Sequence, residues 1–418
     1  MTSIGIIGAG TAGLHLGLRL QMHGVPVTIY AEREPSEMRS GRLPNTVAHN
    51  SFTRKRERAL EVNHWDSPDF GIFAFGFAVG GPQPFRWRGR VEEPSLFLDY
   101  RLYHPRLAED FVARGGRLEI AAVDPARVER LAEKHDLVVV ATGRAGLSRL
   151  FEPVPEHSPY SRPARQLFAG LFHGIRPPEP LGMQFNVAPG HGEIFEARMM
   201  SLHGHVGSLL IEAIPGGALE RLCTSKVDED RRGFEALLLK LLREHAPATF
   251  ERVDPAAFQL TGPLDWLQGA VTPVVRRAYT RLGTGRSIMA VGDAHVLHDP
   301  VAGLGANAAS ASAWVLAENI HEALVSRHPL DEAFCQRAAA SAWETVRGTT
   351  IWSNALLEPP TPQMAEVLFA ASQYQGLADA VVKALAVPEN ALAIFASPES
   401  AAAFLAKHRG GSGARVGQ

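Results

Sequence analysis

The stretch SIMAVGDAHVLHDPVAGLGANAASASAWVLAENI (Ser287–Ile320) decides how the rest of the chain is arranged. Its apolar start, Ile288–Val291, is typical of a buried strand, and its Ala-rich end is typical of a long helix. A turn of small, polar and rigid residues joins the two: Gly292, Asp293, Pro300, Gly303, Gly305, Ala306 and Asn307. The first N–H groups of such a helix lack internal partners and carry the positive end of its dipole. The stretch therefore predicts a strand–turn–helix unit that binds an anion or the negative edge of a ring.

A second glycine-rich turn lies near the start of the chain. The apolar strand Ser3–Gly8 runs directly into the pattern G-x-G-x-x-G, and a helix and a second strand, Val25–Tyr30, follow it. In that setting the pattern indicates dinucleotide binding, because its glycines allow a tight turn and close approach of a pyrophosphate. We expect five of its residues to bind the cofactor: Gly8, Gly10, Thr11, Ala12 and Gly13. The acid that should end the second strand is replaced by Ala31, with Glu32 one residue late, which leaves the ribose contact open.

Length and composition favour a globular enzyme of more than one domain. The 418 residues exceed what one simple core needs, and 45% hydrophobic with 21% charged residues is ordinary for such a protein. A net charge of −2 gives no reason to expect nucleic acid or an anionic membrane as partner. Cys223 and Cys335 form no disulfide framework, and no Cys/His spacing predicts a metal. Without a visible signal peptide or spanning segment, we expect a cytoplasmic location.

The two glycine motifs together resemble the two-part FAD site of flavoproteins of the aromatic-hydroxylase type. The predicted fold is α/β, with a Rossmann-like FAD-binding domain, an inserted β-sheet substrate domain and a helical C-terminal region. We place the discontinuous FAD-binding domain at residues 1–150 and 281–325. The substrate domain is predicted at 151–280 with added strands near 70–90, the helices at 326–408 and a flexible tail at 409–418.

Between the two motifs, the residue pattern predicts several local elements. Arg39–Asn50 is polar and is predicted as a loop, and Lys55–His64 as a charged amphipathic helix. Gly71–Val79 alternates aromatic and small residues, which is typical of a strand, and Arg86–Arg88 is expected to continue that sheet. Asp136–Gly143 is predicted as a buried parallel strand that ends in a turn of small residues.

That turn bears on the class of reaction. Hydroxylases that use NAD(P)H in a single chain carry an Asp-Gly turn at this place, whereas this chain has Ala141, Thr142 and Gly143. The chain also has no second glycine-rich strand–helix–strand unit that could bind NAD(P)H. We therefore expect reduced flavin to come from another protein.

Several strings spread along the chain resemble the oxygenase component of the styrene monooxygenase family and its indole monooxygenase relatives. They are GIIGAGTAGLHLGLRL (Gly5–Leu20), NTVAHN (Asn45–Asn50), VGGPQP (Val79–Pro84), DYRLYHP (Asp99–Pro105), SPYSRP (Ser158–Pro163), LDWLQG (Leu264–Gly269) and DPVAGLGAN (Asp299–Asn307). The resemblance implies two components. An NADH-dependent flavin reductase delivers FADH2, which reacts with O2 to a C4a-peroxyflavin that epoxidises a small apolar aromatic alkene. Sulfoxidation and indole oxidation are the implied side activities, and a homodimer is kept open.

The resemblance and the motifs together give a set of candidate site residues. Asn45, Thr46 and Pro300 are the predicted catalytic residues near the flavin edge and its C4a atom. Further cofactor contacts are expected at Arg42, Arg101, Thr142, Asp293, Gly303, Gly305, Ala306 and Asn307. The predicted substrate residues are Val47, His49, Ile72, Phe75 and Ser95. Ile72 and Phe75 stand where the styrene branch carries Tyr and His, and an aliphatic residue at the first position resembles the indole branch.

Other interpretations remain open at the level of sequence. Val47 and Ile72 would also suit a core, His49 a satisfied loop histidine and Arg42 a solvated loop arginine. The alternative enzymes are an indole monooxygenase, an FADH2-dependent halogenase and a single-component aromatic hydroxylase. The halogenase is disfavoured because the chain has no Trp-x-Trp-x-Ile-Pro string, and Trp266 and Trp352 are isolated. A flavin carrier or redox sensor without turnover is the alternative outside enzymes.

Overall fold

The computed structural model describes residues 2–143 and 146–409. The strands are β1 (Ile4–Ile7), β2 (Val27–Ala31), β3 (Ala48–His49), β4 (Gly71–Val79), β5 (Phe85–Phe97), β6 (Arg117–Ile120), β7 (Leu137–Val140), β8 (Gln166–His173), β9 (Gly182–Ala188), β10 (Gly192–Ser201), β11 (Gly204–Ala213), β12 (Gln259–Leu260), β13 (Trp266–Ala270), β14 (Val274–Val275), β15 (Tyr279–Arg281), β16 (Ser287–Ala290) and β17 (Val296–Leu297). The helices are α1 (Thr11–Met22), α2 (Pro35–Ser40), α3 (Ser51–Ala59), α4 (Tyr100–Ala113), α5 (Pro125–Lys134), α6 (Glu220–Thr224), α7 (Arg231–His245), α8 (Pro247–Phe250), α9 (Gly305–Val325), α10 (Glu332–Ala355), α11 (Pro362–Ala371), α12 (Gln375–Leu385), α13 (Pro388–Phe395) and α14 (Pro398–Arg409). Apart from residue 409, the tail predicted at 409–418 lies outside the described residues.

The first layer is a six-stranded sheet in the order β15-β16-β7-β1-β2-β6. Its central strands β1, β7 and β16 are parallel and, apart from Ser287, apolar, because helices cover both faces. On one face Ile6, Val139 and Met289 pack in a cluster with α1, α4 and α9. On the other face Val138 and Ile288 pack with α5. The alternation of side chains across each strand thus serves two cores at once.

The second layer is a nine-stranded sheet in the order β12-β8-β11-β10-β9-β4-β5-β3, with β13 also paired to β8. Helices α6 and α7 pack against it through Phe168, Leu209 and Leu238. The C-terminal helices pack against its β4–β5 end, where Gly89 lets α12 approach closely. A Cβ at Gly89 would lie 2.5 Å from the Ala378 carbonyl oxygen. One face of the sheet therefore packs against α6 and α7, and the other face packs against the C-terminal helices at the β4–β5 end and against the loop before β3.

The α/β class with a Rossmann-like layer and a helical C-terminal region is confirmed. Two local predictions were wrong in detail. The segment Arg39–Asn50 is not wholly a loop, because α2 ends within it and β3 pairs with β5. The helix predicted at Lys55–His64 is α3, which starts earlier because the Asn50 side chain accepts the Thr53 N–H at 3.0 Å. Arg86–Arg88 continues the sheet as predicted, within the longer strand β5 that pairs with β4.

Candidate flavin site

The N terminus of α1 is shaped to receive a negatively charged group. A Cβ on Gly13 would lie 1.9 Å from the Gly8 carbonyl oxygen, so only glycine permits this close helix–strand packing. At Gly10 a Cβ would meet no heavy atom within 4 Å, and Gly10 caps the helix without any side-chain hydrogen bond. The first N–H groups of α1 thus face open space, as binding of a pyrophosphate requires. The Thr11 hydroxyl turns inward and lies 3.0 Å from Nε2 of His104.

The N terminus of α9 has the same character. A short turn at Pro300–Ala302 ends at Gly303, whose φ of +64° suits glycine, and α9 then begins at Gly305 without a side-chain cap. Positions 303 and 305 have open space around them. Six other helices are capped by a side chain at their N termini: α3 by Asn50, α4 by Asp99, α5 by Asp124, α7 by Asp230, α10 by Asp331 and α11 by Thr361, whereas α12 and α13 also begin without one. The two glycine motifs thus leave their helix N termini free of a side-chain cap.

The ends of the central strands bring both motifs to one edge of the six-stranded sheet. A Cβ on Gly143, after β7, would lie 2.5 Å from Cβ of Asp293, after β16. A Cβ on Gly292 would lie 2.8 Å from Cβ of Ala12 in α1. Asp293 itself is exposed at this edge, beside the half-buried Thr142. The carboxyl edge of a parallel sheet is where such folds bind nucleotides, so these residues fit FAD.

Asn307 ties the start of α9 to the loop before α3. Its Oδ1 accepts hydrogen bonds from the Asn50 N–H at 2.9 Å and the Thr53 hydroxyl at 2.8 Å. Its Nδ2 donates to the carbonyl oxygens of Ala48 at 2.9 Å and Gly303 at 3.1 Å. The side-chain amide is thus fully used within the protein, and a cofactor contact at Asn307 would come from its backbone.

The loop that carries the predicted catalytic residues is anchored at both ends. At its start, the Leu43 N–H donates to the Leu264 carbonyl oxygen at 2.8 Å. Asn45, Thr46 and Val47 are half-buried, and Oδ1 of Asn45 is buried without a hydrogen-bond partner among the described residues. An acceptor in that condition favours a ligand with a donor, since buried polar atoms are rarely left unpaired.

Two arginines predicted to bind the cofactor instead make contacts that hold this loop. The Arg42 guanidinium lies 4.4 Å from the centre of the Trp266 ring and donates to the Trp266 carbonyl oxygen at 3.2 Å. Arg101 is buried between Asp99 at 2.6 Å and Asp265 at 2.7 Å. A direct cofactor contact stays a prediction for both residues, and their protein contacts favour a positioning role.

The predicted substrate residues divide between two parts of the nine-stranded sheet. Ile72 and Ser95 are direct neighbours on β4 and β5. Ile72 belongs to a group of apolar side chains below the loop, named here the loop-side cluster: Leu43, Ala48, Ile72, Phe97, Leu171, Met183, Ala197, Met199, Val206 and Leu267. Phe75 packs elsewhere, with its ring centre 6.5 Å from Trp87 and 6.3 Å from Phe185, against the C-terminal helices. The structure therefore does not bring Phe75 and Ile72 together.

His49 lies in a buried hydrogen-bonded chain that sequence reasoning did not find. Its Nδ1 is 2.6 Å from Oε1 of Glu57, and its Nε2 is 2.7 Å from the Tyr100 hydroxyl. Glu57 also accepts from the Tyr103 hydroxyl at 2.7 Å, and Nε2 of His15 lies 2.7 Å from that hydroxyl. His49 is 1% exposed, so its predicted contact with substrate stays a prediction, and the geometry favours support of the loop from beneath.

The electrostatics of this chain follow from its hydrogen bonds. Burial would raise the pKa of Glu57, but the His49 ring and the Tyr103 hydroxyl outweigh it and leave the pKa below its usual value. Burial lowers the pKa of His15 to about 3, and does the same to His104, so both rings are neutral at physiological pH. Glu57 is therefore an ionised carboxylate in the interior, stabilised by donors. No signal in the sequence marks Glu57, because its partners His49 and Tyr103 come from two other elements, β3 and α4.

Residues 2–143 and 146–409 offer neither a metal site nor a membrane-spanning helix. These residues contain no group of three or more His, Cys, Asp or Glu side chains that could hold a metal ion. They also contain no helix that is both long and apolar enough to cross a bilayer.

The fold, with its two open helix N termini at one sheet edge, has the Rossmann-like architecture of the flavoprotein hydroxylases and halogenases. A triple mutant of the flavin-dependent brominase Bmp2 has a similar fold, with a TM-score of 0.64 and 16% identity over 97% of both chains. At that identity the likeness shows the fold alone. Residues 143–252 match the family described as "Styrene monooxygenase A putative substrate binding domain".

Two curated proteins match almost the full length of the chain. Styrene monooxygenase StyA of a Pseudomonas species is 42% identical over 400 residues, which is 95% of each chain. The protein of the same description from Pseudomonas fluorescens is 41% identical over the same share. The chain belongs to the styrene monooxygenase family, as its sequence strings indicated.

Proposed function

We propose that the chain is the oxygenase component of a two-component system that epoxidises styrene-type alkenes with O2. The observation that carries the proposal is the open N terminus of α9 beside the half-buried loop of Asn45, in a chain of this family. A separate NADH-dependent flavin reductase is the proposed source of FADH2. Reduced FAD, when bound, supplies the electrons that activate O2.

The proposed roles at the cofactor follow from position. The N terminus of α1, from Gly10 to Gly13, binds the pyrophosphate, and Asp293 accepts a hydrogen bond from a ribityl hydroxyl. The N terminus of α9 stabilises negative charge on the reduced ring. Thr142 stands where the Asp of the Asp-Gly turn would be. No carboxylate is therefore present there to bind a nicotinamide. Pro300 shapes the turn that faces the ring.

The substrate site is proposed above the loop-side cluster. Asn45 and Thr46 present polar groups at its upper rim, and Ile72 and Ser95 lie below them on neighbouring strands. The protein's task there is to exclude water and to orient the apolar ring of the substrate. Reduced FAD and O2 would already supply a reactive oxygen donor. Indole is expected to be the poorer substrate, since an N–H without a partner in an apolar wall costs about 1–3 kcal/mol.

An indole monooxygenase is the second candidate, and one observation favours it. Ile72 is aliphatic and buried, as the resemblance implied for the indole branch. The halogenase alternative has only the fold likeness to a brominase in its favour. The cytoplasmic location, a homodimer and the domain boundaries given above remain proposals, and the family match at 143–252 supports the substrate domain.

The test offers styrene and indole side by side to the purified chain with a generic flavin reductase, NADH and FAD. We expect styrene oxide as the main product and slower formation of indole products. Catalase is added so that hydrogen peroxide released by free flavin does not react. Faster turnover of indole would assign the chain to the other branch, and halide-dependent products would contradict both assignments.

A further inference from the structure

Two buried carboxyl groups face each other beside the Pro300 turn. Glu212 lies on β11 and is 0% exposed, and Asp299 directly precedes the turn and is 1% exposed. The two side chains are within hydrogen-bonding contact. Asp299 accepts the Val301 N–H at 3.1 Å through Oδ1, and its Oδ2 has no donor among the described residues. Neither oxygen of Glu212 has a donor in the described part of the chain.

The sheet side of this pair offers no free donor. Glu193, opposite Glu212 on β10, binds the Arg165 guanidinium through two contacts of 2.8 and 3.0 Å. Arg165 also donates to the carbonyl oxygens of Ala164 and Leu357. The Cys223 thiol donates to the Gln166 carbonyl oxygen, and burial raises its pKa to about 12.

On the loop side of the pair the Tyr160 and His298 side chains are neutral, and Glu358 is exposed to solvent. The Tyr160 hydroxyl donates to Glu358 at 2.9 Å, and burial raises its pKa to about 12. His298 is hydrogen-bonded to Thr350 at 3.1 Å, and burial lowers its pKa to about 4. The charges at the pair are therefore its own and those of the Arg165–Glu193 ion pair.

Two ionised carboxylates in contact in a buried site repel each other, and neither can donate a hydrogen bond. A single proton between them removes the repulsion and forms a strong hydrogen bond. We propose that Glu212 and Asp299 share one proton, and that this bond fixes the Pro300 turn against the nine-stranded sheet. Glu212 is thus a positioning residue. Its effect on oxygenation rests on the proposed function, whereas its effect on stability does not.

The proton makes stability depend on pH. Burial, and after it the facing carboxylate, raises the pKa of Glu212 well above its usual value, and burial raises that of Asp299. A folded state that holds a proton more tightly than the unfolded chain is stabilised below the ordinary carboxyl pKa. That contribution is lost as the pH rises from there through the raised pKa. Replacement of Glu212 by Gln supplies a permanent N–H donor to Asp299 and should abolish the loss.

The experiment measures thermal unfolding of the full chain from about pH 5 to about pH 9 for wild type, Glu212→Gln and Glu193→Gln. We expect the melting temperature of Glu212→Gln, relative to that of wild type, to increase by about 2–4 °C in total as the pH rises across this range. The control Glu193→Gln removes the partner of Arg165 and should lower the melting temperature at every pH. Parallel curves for wild type and Glu212→Gln would overturn the proposal.

An infrared measurement keeps the proposal testable if Glu212→Gln does not fold. In that case Asp299→Asn is used as the variant instead. We expect wild type to show the carbonyl stretch of a buried protonated carboxyl group at neutral pH, and the variant to lack it. Absence of that band in wild type would overturn the proposal.

The link to catalysis is read from the yield of styrene oxide per reduced FAD, with hydrogen peroxide as the by-product. Glu212→Ala should lose several-fold in yield, and Glu212→Gln should recover most of it. Equal yields of styrene oxide from the two variants would contradict the positioning role of Glu212. If wild type forms no epoxide while the melting curves behave as expected, the styrene proposal fails and the shared proton stands.

Discussion

Two buried glutamates of this protein are almost equally hidden from water and yet differ in charge. Glu57 is 2% exposed and Glu212 is 0% exposed, but the pKa of Glu57 is lowered and that of Glu212 is raised. Glu57 receives hydrogen bonds from His49 and Tyr103, whereas Glu212 faces the carboxyl group of Asp299. Donors, and not burial alone, therefore decide whether an interior acid is charged. The first cluster acts as a rigid support, and the second depends on a proton.

We expect the largest loss of stability from Glu57→Ala. The substitution leaves His49 and the Tyr103 hydroxyl without their shared acceptor, and loss of one partner of such a buried pair costs about 3–5 kcal/mol. Glu212→Ala should cost clearly less, because it also removes the repulsion with Asp299. Urea unfolding followed by circular dichroism gives both free energies. Equal losses would show that the two glutamates are held in the same way.

A smaller loss of stability is expected from a substitution at Asn307, which ties the start of α9 to the loop before α3. Asn307→Ala removes four hydrogen bonds that tie Ala48, Asn50, Thr53 and Gly303 together, and it should cost about 1–3 kcal/mol of stability. It should also raise the concentration of reduced FAD that half-saturates the protein. Asn319→Ala is the matched control on the same helix, since its Nδ2 has no partner among the described residues. A stability loss as large in the control would contradict the role given to Asn307.

The pH dependence of the two clusters should have opposite sign. Because the pKa of Glu57 is depressed, its contribution is present above the ordinary carboxyl pKa and is lost as the pH falls through the folded value. The melting temperature of wild type should therefore exceed that of Glu57→Gln at neutral pH, and the gap should narrow by about 2–4 °C on acidification. Glu212→Gln should gain on wild type in the alkaline direction instead. Two variants that move in the same direction would refute the contrast.

The smallest effect concerns substrate choice. Ile72→Tyr places a hydroxyl in the loop-side cluster, and one added hydrogen bond to the indole N–H is worth about 0.5–1.5 kcal/mol. The ratio of indole to styrene turnover should rise a few-fold, whereas a fall would favour the indole branch, because Tyr is the residue of the styrene branch at this position. Phe75→His, at the end of the sheet that packs against the C-terminal helices, should leave that ratio unchanged and lower stability. A larger change in the ratio from Phe75→His would place the substrate at that end of the sheet.

The glycine turns could be predicted from sequence because their requirement is local. Gly13 packs on the Gly8 carbonyl within one turn, and Gly303 adopts a positive φ beside Pro300. The family strings extended that prediction to the loop of Asn45. None of this depended on how distant parts of the chain meet.

The two buried clusters could not be predicted, because their members come from distant elements. Glu57 and His15 lie in different helices, and Glu212 meets Asp299 only when β11 packs beside the Pro300 turn. The pattern of strand β10 is obscured for a related reason. Glu193 and Glu196 interrupt its apolar alternation, and their partners Arg165 and Arg252 lie on other segments.

A single-turnover measurement tests the central claim most directly. The purified chain is mixed without oxygen with one equivalent of chemically reduced FAD and excess styrene, and then exposed to O2, with no reductase or NADH present. We predict styrene oxide in an amount close to the bound FAD, because this chain needs only a supply of reduced flavin. Reoxidation of the flavin to hydrogen peroxide without epoxide, or steady NADH consumption by the chain alone, would contradict it.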